Sequence, residues 1–350
     1  MSLQRIKVYE SIRQSYKVKG GHSSGNDRVC RDYRKVNAIT RRILYPMPNI
    51  QELLDTLECQ NYYTSLDLRR GYNQIPLPEK SHRIAAFICH RCHFQPKVLV
   101  FGLRNAPSIF QAFMDTVLNG LLSIIAICYL DDIVVFSKDI SSHVKNLRRV
   151  SERLREYELK LSLDKCTICV SELKLLGNVV SPQGIATDPA KIECVRDFPT
   201  PSSQSEVRVI LGLASYYRRF VKEFPRKAKP FSELLEKDVD FVWTTERENA
   251  FNEIKDALCR SPILRHWDPN LSAEIHVDAS DYGIGATLNQ VQNKQEHVVA
   301  YASRSLDPCE RNYSTIEKEF LALLFALDKF RHFIYGIPFM VKPTIIRCSA

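Results

Sequence analysis

Long hydrophobic runs are missing from this chain. The longest largely apolar stretch, residues 121–130, is ten residues long, contains Ser123 and ends against Asp131 and Asp132. A membrane-spanning helix needs about 20 such residues. The amino-terminal MSLQRIKVYE lacks the apolar core of a secretory signal. Internal repeats and low-complexity tracts are also absent. These absences predict an intracellular protein, cytoplasmic or nuclear, with no membrane partner. Its 11 cysteines are then expected as reduced thiols. Two CxxC pairs, Cys89/Cys92 and Cys166/Cys169, leave open a four-cysteine zinc site, although they lie far apart in sequence. The first pair, continued by His93, also matches the c-type haem attachment pattern, but nothing exports this chain.

What is present is ordinary for a folded protein. The 350 residues suggest two or three domains. With 45% hydrophobic and 25% charged residues, the chain is neither disordered, nor collagenous, nor a disulfide framework. Lys plus Arg number 49 against 40 acids, a net charge of +9. That balance suits a polyanion partner and also an ordinary basic enzyme.

A polar amino-terminal region ends in a turn-rich stretch at residues 20–27. Helical spacing follows at 49–57, a strand candidate at 62–68 and a helix from 107 to 122. Two apolar runs, 124–129 and 133–136, flank Asp131 and Asp132 and predict a hairpin. An amphipathic helix is expected at 143–158, and prolines at 182, 189, 199 and 201 punctuate a boundary. A helix from Gln204 to Val221 follows, then a basic linker, RKAK, bracketed by Pro225 and Pro230. From Ala273 the pattern turns to strands. Ser314 and Glu317 form a capping box that opens a helix with apolar residues at 316, 320, 323, 324, 327 and 330.

The chemistry concentrates in carboxylates. Adjacent Asp131 and Asp132 between apolar strands would repel each other and lose solvation, penalties that a divalent metal relieves. An exposed hairpin tip with both side chains solvated is the alternative. Asp67 ends a second apolar strand, and Gly71-Tyr72 follows soon after. Three carboxylates from two strands can hold two Mg2+ ions about 3.5–4 Å apart, the arrangement for in-line phosphoryl transfer.

Five segments then share one order and spacing. They are RVCRDYRKVN at 28–37, Ser65 to Leu68 with Gly71-Tyr72, FGLRNAP at 101–107, Tyr129 to Asp132, and LGNVVS at 176–181. With them, residues 26–341 resemble the polymerase of a gypsy-type long-terminal-repeat retrotransposon, a reverse transcriptase followed by an RNase H-like domain. The resemblance implies metal ligation by Asp67, Asp131 and Asp132. It implies that Arg28 contacts the incoming triphosphate, that Tyr72 lies beneath the sugar and excludes a 2′-hydroxyl, and that Phe101 faces the same pocket. Gly102 would let the template base approach the backbone. Residues 176–184 would hold the primer end, and Lys165 would protonate the leaving pyrophosphate. Core packing for Tyr72 and Phe101, and solvated charge for Arg28 and Lys165, are the plain alternatives. The helix from 204 would be the thumb, with Arg208, Tyr217, Arg218, Arg219 and Lys222 along a nucleic-acid backbone. Its alternative, a solvated basic face over a stripe of Val207, Ile210, Leu211 and Ala214, is compatible with that role.

The carboxy-terminal third resembles the RNase H-like domain of the same polyprotein through EIHVDAS at 274–280 and YGIGA at 282–286. Asp278 and Glu319 match its catalytic acids. The family carries a further Asp shortly after the strand beginning Phe339-Met340-Val341. Here Lys342-Pro343-Thr344-Ile345-Ile346 stands instead, and no acid follows Asp328. Codons for Pro-Thr-Ile-Ile read out of phase can spell the family's Asp-His-His, so a frameshift and a truncated carboxy terminus are expected. Val100, Cys92 and Pro96 also depart from the family pattern, and the fingers upstream of Gly20 are shortened.

The resemblance implies an α+β fold: a right-hand polymerase of fingers, palm and thumb, then a truncated RNase H-like α/β domain. The expected boundaries are fingers and palm at 1–185, thumb at 186–236 and RNase H-like domain at 237–350. The expected cofactor is Mg2+, two ions, with Mn2+ as a substitute. The expected partners are an RNA template, a DNA primer, RNA–DNA hybrid and deoxynucleoside triphosphates. The competing reading is a decayed relic that binds nucleic acid without polymerising. Associated RNase H activity is expected to be lost.

Overall fold

The computed structural model describes residues 31–88, 93–236, 239–260, 262–292 and 295–343. Arg28, the turn-rich stretch at 20–27, the Cys89/Cys92 pair and the tail from 344 lie outside these residues. The chain forms two compact units. One holds the residues up to Leu53 together with Tyr63–Val170; the other holds Leu54–Tyr62 and the chain from Ser171 onward.

The elements of the first unit begin with helices α1 (Arg34–Ile39) and α2 (Ile50–Thr56, which crosses into the second unit). Strand β1 (Tyr62–Asp67), helix α3 (Glu79–His82) and short strands β2 (Phe87–Ile88) and β3 (His93–Phe94) follow. Next come α4 (Ala106–Val117), β4 (Ala126–Tyr129), β5 (Asp132–Ser137), α5 (Ile140–Glu156) and β6 (Thr167–Val170). The main sheet runs β4-β5-β1-β6, so β1 is interior. Its core is built from Leu66 and Ile133 on the strands, Phe110 and Met114 on α4, and Val150 and Leu154 on α5. Burial of each such side chain is worth about 1.5–3 kcal/mol. In β5 every residue from Ile133 to Ser137 is buried, so this strand reads as one apolar run and not as an alternation. Asp139 caps α5, its carboxylate accepting from Ser142 N–H.

One buried polar network ties these elements together. His143 on α5 bonds Thr64 Oγ1 of β1 at 2.7 Å through Nε2 and Ser137 Oγ of β5 at 2.9 Å through Nδ1. Burial lowers the His143 pKa from its ordinary value. The unfolded chain therefore takes up a proton that the folded one refuses, and stability falls as pH drops below about 6.5. We expect urea midpoints of this protein to decline below that pH and His143→Gln to flatten that part of the profile. An unchanged slope in the variant would assign the loss to other groups.

In the second unit, β7 (Leu173–Leu175), β8 (Asn178–Ser181) and β9 (Gly184–Thr187) form an antiparallel meander. Four helices follow: α6 (Pro189–Arg196), α7 (Gln204–Tyr216), α8 (Phe224–Ser232) and α9 (Thr245–Cys259). Then come β10 (Ala273–Ala279), β11 (Gly283–Gln292), β12 (Gln295–Ser305), α10 (Thr315–Lys329), α11 (Arg331–Ile334) and β13 (Phe339–Pro343). Their sheet runs β12-β11-β10-β13, with β13 parallel to β10 at the edge. No helix among the described residues is long and apolar enough to cross a membrane.

Three expectations are corrected here. The helix from 204 ends at Tyr216, and a 3-10 turn over Arg218–Phe220 replaces its expected continuation to Val221. The RKAK segment is not a linker but part of α8. Pro225 occupies the first turn, where no N–H is needed, and Pro230 sits inside. An interior proline costs about 3 kcal/mol, which burial of Phe224 and Phe231, at about 1.5–3 kcal/mol each, offsets. Finally, α10 buries only part of the stripe expected from its apolar spacing: Phe330 joins the core and Leu327 packs against it, with Leu323 half-buried. Lys318, Ala322 and Ala326 are buried, while Ile316, Phe320 and Leu324 are 81%, 60% and 49% exposed. Small alanines let the helix sit close to the sheet, flanked by Leu321, Phe325 and Leu327, and turn Ile316, Phe320 and Leu324 outward. The predicted capping box is present, with Ser314 Oγ accepting from Glu317 N–H.

Candidate active site

Asp67 is the last residue of β1, and Asp132 opens β5 on the neighbouring strand. Asp131 stands in the β4–β5 turn beside it, where Tyr129 pairs with Asp132. Leu130 makes that turn possible with a left-handed φ of 54°. Such a conformation is unfavourable for leucine and needs outside support. Gln111 on α4, fully buried, gives it: its Oε1 accepts from Leu130 N–H at 2.8 Å, and its Nε2 donates to Asp115 Oδ1 at 2.9 Å. Sequence reasoning missed Gln111. Its one signal is a polar residue on the buried face of an apolar helix. Gly71 adds a steric requirement, because a Cβ there would stand 3.0 Å from the Phe110 ring and 3.5 Å from Asp131 Cβ.

The electrostatics fit a cation site. Asp132 is open to solvent at its tip, yet its pKa is raised by the protein around it and then by the charges of Asp131 and Asp67. Hard carboxylate oxygens repelling one another are the donor set a divalent ion relieves. Lys165 Nζ stands 3.8 Å from Asp67 Oδ1. That pair is largely solvated and worth little on its own.

Tyr72 follows in a 3-10 turn over Gly71–Gln74. Its ring is 5% exposed and lies 4.4 Å from Phe101 and 4.7 Å from Phe110, stacked on the latter. Phe101 is 60% exposed on the outer side of that pair. Gly102 has φ +92°, where side chains are strained. Asn37 on α1 holds this loop, donating to Gly102 O and accepting from Arg104 N–H, both at 2.8 Å.

The thumb candidates divide. Arg208, Arg218 and Lys222 are exposed. Tyr217 is buried, its hydroxyl donating to Gly177 O at 2.7 Å, and its neighbour Tyr216 donates to Leu176 O. Arg219 is drawn inward, where burial lowers its pKa against the attraction of Asp55 and Glu58. The 3-10 turn after Tyr216 rotates Arg219 off the face a longer helix would have given it. Neither Tyr217 nor Arg219 presents the open side chain that the sequence reading expected.

In the RNase H-like region, Asp278 lies near the end of β10 and lines a cavity of about 30 Å3 with Glu223, Pro225, Arg226, Ser280 and Gly283 to Gly285. Glu319, half-buried on α10, does not line it. The neighbouring Lys318 is buried and pairs with Asp281 at 2.8 Å.

Comparison with known proteins gives this arrangement its relatives. Residues 18–180 match the reverse transcriptase (RNA-dependent DNA polymerase) family, and residues 243–341 match the RNase H-like domain found in reverse transcriptase. The Pol polyprotein of the Drosophila melanogaster transposon 297 is 38% identical over 315 residues, 90% of this chain and 29% of that protein. The polyprotein of the gypsy transposon is 35% identical over 323 residues, 89% of this chain and 31% of that protein. The chain thus spans about a third of the length of these relatives. Among solved structures, a foamy viral protease-reverse transcriptase in complex with double-stranded DNA superimposes with a TM-score of 0.82 at 25% identity, covering 94% of this chain and 58% of that one. The same kind of enzyme in complex with RNA/DNA hybrid gives 0.75 at 26% identity, covering 90% and 43%. This family uses divalent metal ions. With a reverse transcriptase domain followed by an RNase H-like domain, the chain belongs to the reverse transcriptases of gypsy-type long-terminal-repeat retrotransposons.

Proposed function

We propose that this chain is an RNA-directed DNA polymerase that extends a DNA primer on an RNA or DNA template. The observation that carries the reading is the convergence of Asp67 at the end of β1 with Asp131 and Asp132 at the start of the neighbouring β5, where the surrounding protein and then the charges of Asp131 and Asp67 raise the Asp132 pKa. Two Mg2+ ions held by these carboxylates, with Mn2+ as a substitute, would activate the primer 3′-hydroxyl and stabilise the leaving pyrophosphate. Lys165 lies beside Asp67 as the proton donor to that pyrophosphate. Gln111 acts one layer back, as a positioning residue for the Asp131 turn. The solvent-facing Phe101 ring and the Tyr72 ring behind it form an aromatic floor for the nucleotide sugar. Gly102, free of a side chain, leaves room for the template base. Arg28 takes the triphosphate in this reading. Arg208, Arg218 and Lys222 supply exposed positive charge for a phosphate backbone. The foamy viral relatives, solved with double-stranded DNA and RNA/DNA hybrid, support duplex binding here.

The deciding experiment is extension of a labelled primer on an RNA template with Mg2+ and deoxynucleoside triphosphates. Extension supports the polymerase; duplex binding without extension leaves a nucleic-acid-binding relic. Sugar selection gives a finer test. Tyr72→Ala should raise ribonucleotide incorporation relative to deoxyribonucleotide by about tenfold, or about 1.4 kcal/mol of discrimination. Unchanged selectivity in single-nucleotide kinetics would leave Tyr72 as a core aromatic packed on Phe110.

A further inference from the structure

The second sheet carries a cluster that polymerisation does not use. Glu274 and His276 are two residues apart on β10, so the pleat turns both to one face. Glu296 reaches that face from β12, across the intervening strand β11. His276 Nε2 stands 3.5 Å from Glu274 Oε2 and 3.3 Å from Glu296 Oε1. Among the described residues, this is the one trio of His, Cys, Asp or Glu whose ligand atoms all lie within 4.8 Å of one another. The Nε2 atom is shielded from solvent and has no hydrogen-bond partner.

Those distances have a chemical meaning. With zinc bonds of about 2.0–2.2 Å in tetrahedral geometry, neighbouring ligand atoms sit about 3.3–3.6 Å apart. The two separations from His276 Nε2 fall on that spacing. The same two carboxylate oxygens also accept hydrogen bonds from the protein. Asn289 Nδ2 donates to Glu296 Oε1, and Lys342 Nζ donates to Glu274 Oε2. Outer partners of this kind orient ligands and leave further lone pairs on each oxygen. Asp278, next on the same face of β10, is not one of the three.

We propose that Glu274, His276 and Glu296 form a zinc site, binding one Zn2+ through two carboxylate oxygens and the imidazole Nε2, with water in the fourth position. The ion bridges β10 to β12 over β11 and acts as a cross-strand staple. The test uses the full chain, stripped with a chelator, equilibrated with zinc chloride and freed of unbound metal before elemental analysis. His276→Gln and Glu296→Gln should each bind one zinc fewer per chain than the unchanged protein, whatever other zinc the thiols or aspartates hold. Zinc should also raise the melting temperature of the unchanged protein by more than it raises that of either variant. Glu296 is exposed at its strand, so its variant keeps the fold if His276→Gln does not. Equal zinc content in the unchanged chain and Glu296→Gln overturns the site and leaves His276 as an ion-pair bridge between two glutamates.

Discussion

Asp131→Asn should lower primer extension by about a thousandfold or more, roughly 4 kcal/mol of transition-state stabilisation. The substitution keeps the shape of the turn. Leu130 N–H still reaches Gln111, and Gly71, without a Cβ, still leaves room beside the Cβ at 131. What it removes is one unit of negative charge from a site that gathers three. Binding of a primer–template duplex, measured by fluorescence anisotropy, should change by no more than about twofold, since duplex affinity comes from positive charges on phosphates and not from a carboxylate. A variant that extends at the original rate would remove Asp131 from the chemistry. The same loss accompanied by weak duplex binding would point to a misfolded palm.

RNA in an RNA–DNA hybrid should stay uncut by this chain to within the background of the assay. Metal-assisted phosphodiester cleavage needs several carboxylates around its ions. Asp278 and Glu319 are two, and Glu319 does not line the cavity beside Asp278. The small space beside Asp278 is shared with Glu223 and Arg226 from the start of α8, and that guanidinium pairs with Glu223 and Glu253. Strand β13 pairs His276 with Lys342 and Val277 with Pro343, and it brings no acid beside Asp278. Robust cleavage that disappears in Asp278→Asn would reveal a ligand set different from the one described.

The palm was legible because its signals are local and redundant. Apolar runs on either side of Asp131-Asp132 specify a hairpin, and Asp67 at the end of a further apolar run specifies a strand that ends in a carboxylate. Gln111 was not legible, because its value depends on a left-handed Leu130 that only the folded turn displays. On α10 the failure has a different cause. The spacing of Ile316, Phe320 and Leu324 reports an apolar face, but Ala322 and Ala326 form another, and close approach to the sheet selects the smaller side chains. Tyr217 and Arg219 were misread because a helix end one turn earlier than expected re-aims every side chain beyond it. The zinc trio escaped notice because Glu296 lies twenty residues from His276 and meets it only through sheet register.

The interior position of β1 also bears on how the chain is made. Its partners β5 and β6 come from much later sequence: Tyr63 pairs with Val170, and β5 begins at Asp132. At ribosomal rates of about 5–20 residues per second, roughly 5–20 s pass between synthesis of Asp67 and of Val170. Until β5 is made both edges of this strand are unpaired, and one edge still waits until β6 follows. Nascent chains stalled before residue 132 should therefore hold β1 open to chaperones, and those stalled beyond residue 170 and clear of the exit tunnel should not.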